Sequence, residues 1–239
     1  MTLVIDPKFN GPDGSGNGGY CAGQFAQAFA PDSLAAIRVR LCSPPPLGQA
    51  MTMTHEEEEA RVWHGETEVA RLALAPLALE LPRPCSGEQA EEARERYPGF
   101  VQHAFPRCYV CGPERAEHDG LRIFAGAVEG ERMVAAPFEP FEALADPLGF
   151  LKPEQVWAAL DCPSYFAAML GQTPTTALLG TFTVQRFEAR IPAKGRYRIC
   201  AWPLEGEGRK RRAGAALFDH DDRCLAAAEA LWILLPGES

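Results

Sequence analysis

Two predicted helices carry complementary chemical groups. The first begins within residues 14–20 (GSGNGGY), whose glycines leave backbone N–H groups bare at the helix start. The second covers residues 153–161 (PEQVWAALD) and places Asp161 within an apolar stripe. N–H groups at a helix start stabilise negative charge on an oxygen, and a carboxylate transfers protons. We therefore expect the two helices to contribute to one active site.

The bulk composition is ordinary for a globular protein. The chain has 239 residues, of which 46% are hydrophobic and 23% charged. This length allows one large domain or two of about 100–120 residues. A net charge of −9 argues against nucleic acid and anionic membranes as partners, because both bind basic surfaces.

The sequence also predicts a location. No apolar run reaches the roughly 18 residues that a membrane-spanning helix needs. Residues 1–10 (MTLVIDPKFN) lack the basic start and apolar core of a secretory signal. We expect a cytoplasmic protein with no membrane partner, in which most of the eight cysteines are buried free thiols.

Each half of the chain shows the pattern of a helix with several antiparallel strands. The first helix is predicted at 20–29 and the second at 153–170, with a bend or break near Pro163. The predicted strands cover 35–41, 49–54, 60–63, 67–74, 120–124, 131–136, 177–190, 195–203, 210–219 and 224–235. We expect a first half at 1–80, a linker with a short surface helix at 81–107, and a second half at 108–239.

Short segments of the second half match a known family pattern. Residues 108–113 (CYVCGP) and 120–123 (GLRI) are similar to the cysteine-glycine segment that leads into the first strand of many such domains. Residues 157–161 (WAALD) are similar to the central helix with its acidic residue. With the four strands that follow, they resemble the acyl-CoA thioesterase-like hotdog superfamily, especially its phenylacetate-type branch. The resemblance implies an α+β tandem double hotdog, in which two antiparallel sheets each wrap a central helix.

The first half resembles the same fold at residues 17–19 (NGG). They match the family's His-Gly-Gly at the helix start, with Asn in place of His. On that pattern the acid of the first half falls on Ala26, and the His-Gly-Gly of the second half falls on residues 152–154 (KPE). Each half has lost the part that the other kept. Because sites of this branch lie between two subunits, the resemblance implies one composite site that pairs residues 17–19 with Asp161.

The implied reaction is hydrolysis of an acyl-CoA or related thioester, with no metal and no cofactor beyond the CoA moiety of the substrate. The Gly19 N–H is the first candidate donor to the developing oxyanion, and the Tyr20 N–H is the second. Gly18 allows close approach of the substrate to the backbone. Asn17 caps the helix or orients the thioester. The simpler alternative is that these residues form only a tight turn and an N-cap.

Asp161 is the predicted general base for a water molecule, or a direct nucleophile. Partial burial beside Trp157 is expected to raise its pKa. Trp157, Ser164 and Tyr165 are predicted to contact substrate, although packing is the more ordinary role for the last two. A structural role for Asp161, in capping or hydrogen-bonding the chain near Pro163, is the alternative.

Four residues raise the question of a metal. Cys108 and Cys111 form a CxxC, with His103 and His118 nearby. A CxxC alone is half of a zinc site, and no second CxxC or His pair at standard spacing accompanies it. The family segment accounts for these residues without metal, and we expect none.

One basic cluster stands out in this acidic chain. Residues 209–212 (RKRR) lie at a predicted hairpin edge. They suit the phosphates of CoA, or they protect an edge strand by charge, which is the reading we favour.

Other functions remain open. A G-x-S-x-G elbow and a P-loop are both missing from the sequence. The main alternative to a thioesterase is a non-catalytic acyl-CoA or thioester-binding protein, kept open by the Asn at position 17. An enoyl-CoA hydratase or dehydratase is less favoured, because neither predicted helix contains a His. Pairing of two double hotdogs into a homodimer is also left open.

Overall fold

The computed structural model describes residues 1–172 and 175–236, and it contains three α-helices in that part of the chain. Helix α1 covers Gly18–Phe29 and begins after Asn17, whose side chain accepts from the Tyr20 N–H. Helix α2 covers Gly87–Glu95. Helix α3 covers Pro153–Ala168 and begins with a proline, which needs no N–H at that position.

Eleven strands accompany these helices. The first group is β1 (Thr2–Val4), β2 (Ile37–Leu41), β3 (Ala50–Glu56), β4 (Glu59–His64) and β5 (Thr67–Leu74). The second group is β6 (Gly126–Ala127), β7 (Val134–Phe138), β8 (Ala177–Arg186), β9 (Tyr197–Pro203), β10 (Lys210–Phe218) and β11 (Cys224–Leu234).

All eleven strands form a single sheet in the order β1-β3-β4-β5-β2-β8-β11-β10-β9-β7-β6. Strands β2 and β8 join the two groups as an antiparallel pair, with Ile37 opposite Val184 and Val39 opposite Phe182. The prediction of two separate sheets is therefore wrong. The apolar strand faces and the antiparallel order within each half could be predicted from local patterns. The pairing of β2 with β8 could not, because it joins residues about 140 positions apart.

The two long helices pack against each other and against the sheet. Gly23 of α1 lies on Trp157 of α3, and a Cβ at position 23 would come within 2.8 Å of the Trp157 Cβ. Every residue of α3 except Pro153, Glu154 and Tyr165 is buried. This burial explains why α3 continues through Pro163, where the sequence predicted a bend or break. The surrounding packing stabilises the helix against the loss of one backbone hydrogen bond.

The predicted linker contains α2, as expected of a short surface helix there. A capping box at Ser86 and Gln89 begins the helix. Ala90 and Ala93 are its buried residues. They join a second apolar cluster with Ala135, Cys200 and Trp202, separate from the main core. Helix α2 is therefore packed onto the part of the sheet built from the later strands.

One further prediction about strands is wrong. Residues 120–124 form no strand, and the short strand β6 follows them at Gly126–Ala127. Strand β10 lies between β11 and β9, but its pairing with β9 begins only at Ala213, so the basic residues 210–212 pair with β11 alone. Within the described residues, no helix is long and apolar enough to cross a bilayer.

Candidate active site

Asp161 of α3 meets the first turn of α1. Its Oδ2 atom accepts hydrogen bonds from the Gly19 N–H at 2.9 Å and from the Asn17 Nδ2 at 2.8 Å. All three residues are buried. The sequence predicted that these residues would share one site, and the structure brings them together.

The amide of Asn17 links the two helices. Its Oδ1 accepts from the Tyr20 N–H at 2.9 Å, which is the N-cap hydrogen bond of α1. This bond fixes the orientation of the amide, so that the Nδ2 is directed at Asp161. Of the two roles considered for Asn17, it fills the capping role and also holds the carboxylate.

The absence of a side chain at Gly19 permits this close approach. A Cβ there would lie 2.4 Å from the Asp161 Cβ and 2.9 Å from the Trp157 carbonyl oxygen, both far inside normal contact. The glycine is therefore required because a neighbouring helix occupies the space. Its φ is not in the left-handed region.

Burial dominates the electrostatics of Asp161. Desolvation raises the pKa of this carboxyl to about 7, against the opposing hydrogen bonds from Gly19 and Asn17. The second carboxylate oxygen, Oδ1, is buried and has no hydrogen-bond partner within the described residues. One oxygen is thus held by two donors, and the other is buried without a partner among the described residues.

A cavity of about 420 Å³ borders this carboxyl group. Gly18, Leu41, Asp161, Tyr165 and Leu179 contribute to its wall. Leucine side chains face Gly18, since a Cβ at Gly18 would lie 3.0 Å from Leu179 and 3.3 Å from Leu41. The cavity therefore offers apolar walls with a carboxyl group at one point, the composition usual for small-molecule sites.

The backbone donors are arranged differently from the expectation. The Gly19 N–H is bonded to Asp161 and the Tyr20 N–H to Asn17, so neither is free to receive an oxyanion in this arrangement. The Gly18 N–H, at the first position of α1, has no acceptor in the described part of the chain and borders the cavity. The sequence identified the helix start. Which of its N–H groups is left free depends on which one donates to Asp161, and this was not predicted.

Three residues predicted to contact substrate lie away from the cavity wall. Tyr20 stacks on Phe9 at a centroid distance of 3.8 Å. Trp157 packs edge-on against Phe182. The Ser164 hydroxyl donates to the Asp161 carbonyl and accepts from the Trp232 Nε1. These contacts assign the three side chains to the packed core.

A cluster of thiols lies directly beside Asn17 and Asp161. The Sγ atoms of Cys108, Cys111 and Cys162 all lie within 4.8 Å of one another, and all three residues are buried. The pKa of Cys108 is held well below that of an ordinary thiol, first by the Cys111 and Cys162 thiols as donors. Burial raises the pKa of Cys111.

His103 lies at the edge of this cluster, and its Nε2 is 3.3 Å from the Cys111 Sγ. His118 does not join it, because that side chain is exposed and lies against Phe141. The sequence identified the CxxC but missed Cys162, which lies 51 positions beyond Cys111. The one available signal was its position directly after the predicted catalytic Asp161.

The basic cluster 209–212 takes no part in this cavity. Arg212 forms an ion pair with Glu229, and Arg211 bonds to the Gly208 carbonyl. Two of its side chains are therefore engaged in local contacts, and a role in binding phosphate within this cavity has no support from the position of the cluster.

No protein-family model and no curated protein matches the sequence. Solved structures do match over nearly the whole chain. The tesB protein of Mycobacterium avium subsp. paratuberculosis is 10% identical, with a TM-score of 0.65 over 98% of this chain and 92% of that chain. A protein provisionally described as a thioesterase II, from Thermobifida fusca YX, is 13% identical, with a TM-score of 0.63 over the same shares.

A third structure, a conserved protein of unknown function with a hotdog fold from Alicyclobacillus acidocaldarius, is 10% identical. Its TM-score is 0.54 over 99% of this chain and 93% of that chain. Likeness at such low identity establishes the fold. The chain has the hotdog fold, as the sequence resemblance predicted.

Proposed function

We propose that this protein hydrolyses an acyl-CoA-type thioester at a single site shared by its two halves. The observation that carries the proposal is the Asp161 carboxyl of the second half, held at the start of α1 in the first half and bordering an apolar cavity. A carboxylate with one fixed oxygen and one free oxygen is suited to activating water.

In the proposed reaction, Asp161 Oδ1 accepts a proton from a water molecule whose oxygen attacks the thioester carbonyl carbon. The carbonyl electron pair moves onto the carbonyl oxygen, and the Gly18 N–H stabilises that oxyanion. The tetrahedral intermediate then collapses, the C–S bond breaks, and the thiolate takes the proton from Asp161. Gly19 and Asn17 hold the carboxylate throughout.

The nature of the substrate follows from the cavity wall. Leu41 and Leu179 suit an acyl or aryl group, because burying apolar surface favours binding. We infer that the thiol part of the substrate, CoA in the proposal, extends outward from the cavity. No cofactor beyond this CoA moiety enters the reaction.

We interpret the architecture as a tandem double hotdog whose two halves are fused through β2 and β8. The proposed limits are 1–80 for the first half, 81–107 for the linker and 108–239 for the second half. In this interpretation Ala26 takes the place of the missing acid of the second ancestral site. Glu154 lies within the segment that corresponds to the missing helix start of that second site.

The decisive experiment measures thiol release from short, medium and aromatic acyl-CoAs by the wild-type protein, Asp161→Asn and Asp161→Ala. The proposal expects turnover by the wild type and a loss of about 10²–10⁴-fold in both variants, the usual contribution of a general base. Turnover that is unchanged in both variants would show that another group does the chemistry.

The second candidate is a non-catalytic thioester-binding protein. It is favoured by one observation: the Gly19 and Tyr20 N–H groups are already hydrogen-bonded, which leaves fewer donors for an oxyanion. Calorimetry separates the two candidates. Saturable binding of an acyl-CoA that survives in Asp161→Asn, with no thiol release by the wild type, would establish the binding protein.

No comparable observation among the described residues favours a hydratase. His103 does border the cavity, but its Nε2 is directed at Cys111. It is therefore engaged with the thiol cluster.

A further inference from the structure

The three buried thiols beside the cavity have the arrangement of metal ligands. The Cys108 and Cys162 Sγ atoms are 3.7 Å apart, and the Cys111 Sγ lies within 4.8 Å of both. In a tetrahedral zinc site with Zn–S bonds of about 2.3 Å, adjacent sulfurs lie about 3.8 Å apart. The spacing needs little adjustment to accept a cation between the sulfurs.

We propose that Cys108, Cys111 and Cys162 bind a Zn²⁺ ion through three thiolates, with the fourth position open to the cavity. Thiolates are the ligands that Zn²⁺ prefers among protein side chains with sulfur or oxygen donors. The site departs from the expectation drawn from the CxxC alone, because α3 supplies the third ligand.

The loop that carries the first two ligands is shaped around them. The Gly112 N–H donates to the Cys108 carbonyl at 2.9 Å, which turns the chain back on itself after Cys111. A Cβ at Gly112 would lie within 2.6 Å of the Cys108 N and O and 2.5 Å from the Pro106 carbonyl oxygen. The glycine therefore permits a turn tight enough to present both sulfurs on one side.

Hydrogen-bond donors lie beside the sulfurs, as expected of thiolate ligands. The Asn17 Nδ2 lies 3.8 Å from the Cys108 Sγ and 3.9 Å from the Cys162 Sγ. Such donors offset negative charge on sulfurs that are removed from water.

The hydrogen bonds of His103 decide between a fourth ligand and a supporting role. Its Nδ1 accepts from the Phe105 N–H at 2.9 Å. A neutral imidazole that accepts at Nδ1 carries its proton on Nε2. The Nε2–H therefore donates to the Cys111 sulfur, 3.3 Å away, and has no lone pair for a metal. This leaves three protein ligands.

The fourth position then faces the cavity, because all three cysteines and His103 contribute to its wall. Zinc sites with three protein ligands and one open position bind water or an external ligand there. The proposal concerns metal binding alone, so its test does not depend on whether the protein hydrolyses thioesters.

The first test is metal analysis of the full-length protein purified under reducing conditions from zinc-supplemented cells. The wild type is expected to contain about one zinc per chain, because a preformed set of thiolates binds Zn²⁺ tightly at neutral pH. Cys108→Ala, Cys111→Ala and Cys162→Ala should each lose most of it. Cys200→Ala is the matched control, since Cys200 is also buried and lies 3.5 Å from another thiol, Cys85, outside the cluster.

The second test does not depend on whether a cysteine variant folds, because it uses the wild-type protein. The reduced, metal-stripped wild type is titrated with Co²⁺, and the proposal expects a saturable sulfur-to-cobalt charge-transfer absorption that Zn²⁺ abolishes. An added small thiol should shift the visible bands, because it enters the open position. His103→Ala should keep the stoichiometry.

Three results would overturn the proposal. The first is a reduced wild type that contains no zinc and takes up no cobalt. The second is a Cys108–Cys162 disulfide, seen as a mass decrease, in protein that binds no metal after reduction. The third is a loss of metal in His103→Ala as complete as in the cysteine variants, which would make the histidine a ligand.

Discussion

Asn17 and Asp161 lie 144 positions apart in the chain, and the Asn17 Nδ2 lies 2.8 Å from the Asp161 Oδ2. The same amide caps α1 through its oxygen. One side chain therefore sets both the start of the first helix and the position of the acid on the second. The orientation of the carboxyl group depends on a helix cap.

Asn17→Asp should separate these two roles. The new carboxylate keeps an acceptor for the Tyr20 N–H, so helix α1 retains its cap. It also replaces the donor to Asp161 with a second negative charge at hydrogen-bond distance. We expect thiol release to fall by at least about 10-fold, and the melting temperature to fall as well, because two buried carboxyl groups at this distance repel each other.

Asn17→Ala is the comparison for that substitution. It removes the cap and the donor together, and should cost about 1 kcal/mol of stability in addition to the activity. Equal activity in Asn17→Asp and the wild type would contradict the proposed role of Asn17 in holding Asp161.

Gly19→Ala tests the close approach of the two helices. Its Cβ would displace Asp161 or the Trp157 carbonyl, at a cost of about 1–3 kcal/mol for overpacking. We expect both the free energy of unfolding and the activity per folded molecule to fall. Chemical denaturation and thiol release measure the two effects.

Gly23→Ala is the matched control for Gly19→Ala. Its Cβ would lie 2.7 Å from the Glu154 Cα and 2.8 Å from the Trp157 Cβ, so it strains the same helix pair one turn away. It should destabilise the protein by a similar amount and leave the activity per folded molecule largely intact. Equal losses of specific activity in both variants would argue that helix spacing alone matters.

Leu179→Trp tests the assignment of the cavity. Leu179 lines the cavity opposite Gly18, and a larger side chain there occupies part of its volume of about 420 Å³. We expect kcat/KM to fall for long and aromatic acyl groups and to change little for acetyl-CoA. An unchanged profile across the acyl series would place the acyl group elsewhere.

Glu154→Gln tests a pH effect on stability that arises away from the site. Partial burial raises the pKa of Glu154 above its ordinary value. The folded protein then binds more protons than the unfolded chain between the two pKa values, so stability falls as pH rises through that interval. Melting temperatures measured from acid to neutral pH should decline more steeply for the wild type than for Glu154→Gln. Parallel curves would contradict the shift.

Arg186→Met tests the link between the two halves. This buried arginine on β8 donates to the Ser33 carbonyl ahead of β2 and to the Ala189 carbonyl. Methionine keeps an apolar stem but leaves both carbonyls unpaired, and should cost about 1–3 kcal/mol. Arg38→Met, at an exposed position on β2, should be near neutral. Equal stability of the two variants would show that Arg186 does not stabilise the junction.

The sequence predicted the elements of the site because local patterns encode them. A glycine-rich helix start is visible at 14–20, and a lone acid in an apolar stripe is visible at Asp161. Most strands were also predicted within a few residues, because alternation and turn residues are local signals. A bend or break was expected near Pro163, and the helix continues through it without a break, since packing on all sides outweighs the local preference.

Relationships across the two halves were not readable in the same way. The hydrogen bond from Gly19 to Asp161, which leaves Gly18 as the free donor, depends on the relative rotation of two helices. The approach of Cys162 to the CxxC depends on the same packing. The junction of β2 with β8 depends on strand partners distant in the chain.

That junction has a consequence for how the site responds to dilution. When the two halves of a shared site are separate molecules, dilution pulls them apart and specific activity falls with concentration. Here the strands that join the proposed halves belong to one polypeptide, and α2, within the proposed linker, is itself packed onto the sheet. The halves meet at the high effective concentration of a tethered pair. Assembly of Asn17, Gly19 and Asp161 is consequently a first-order event, completed when the chain folds.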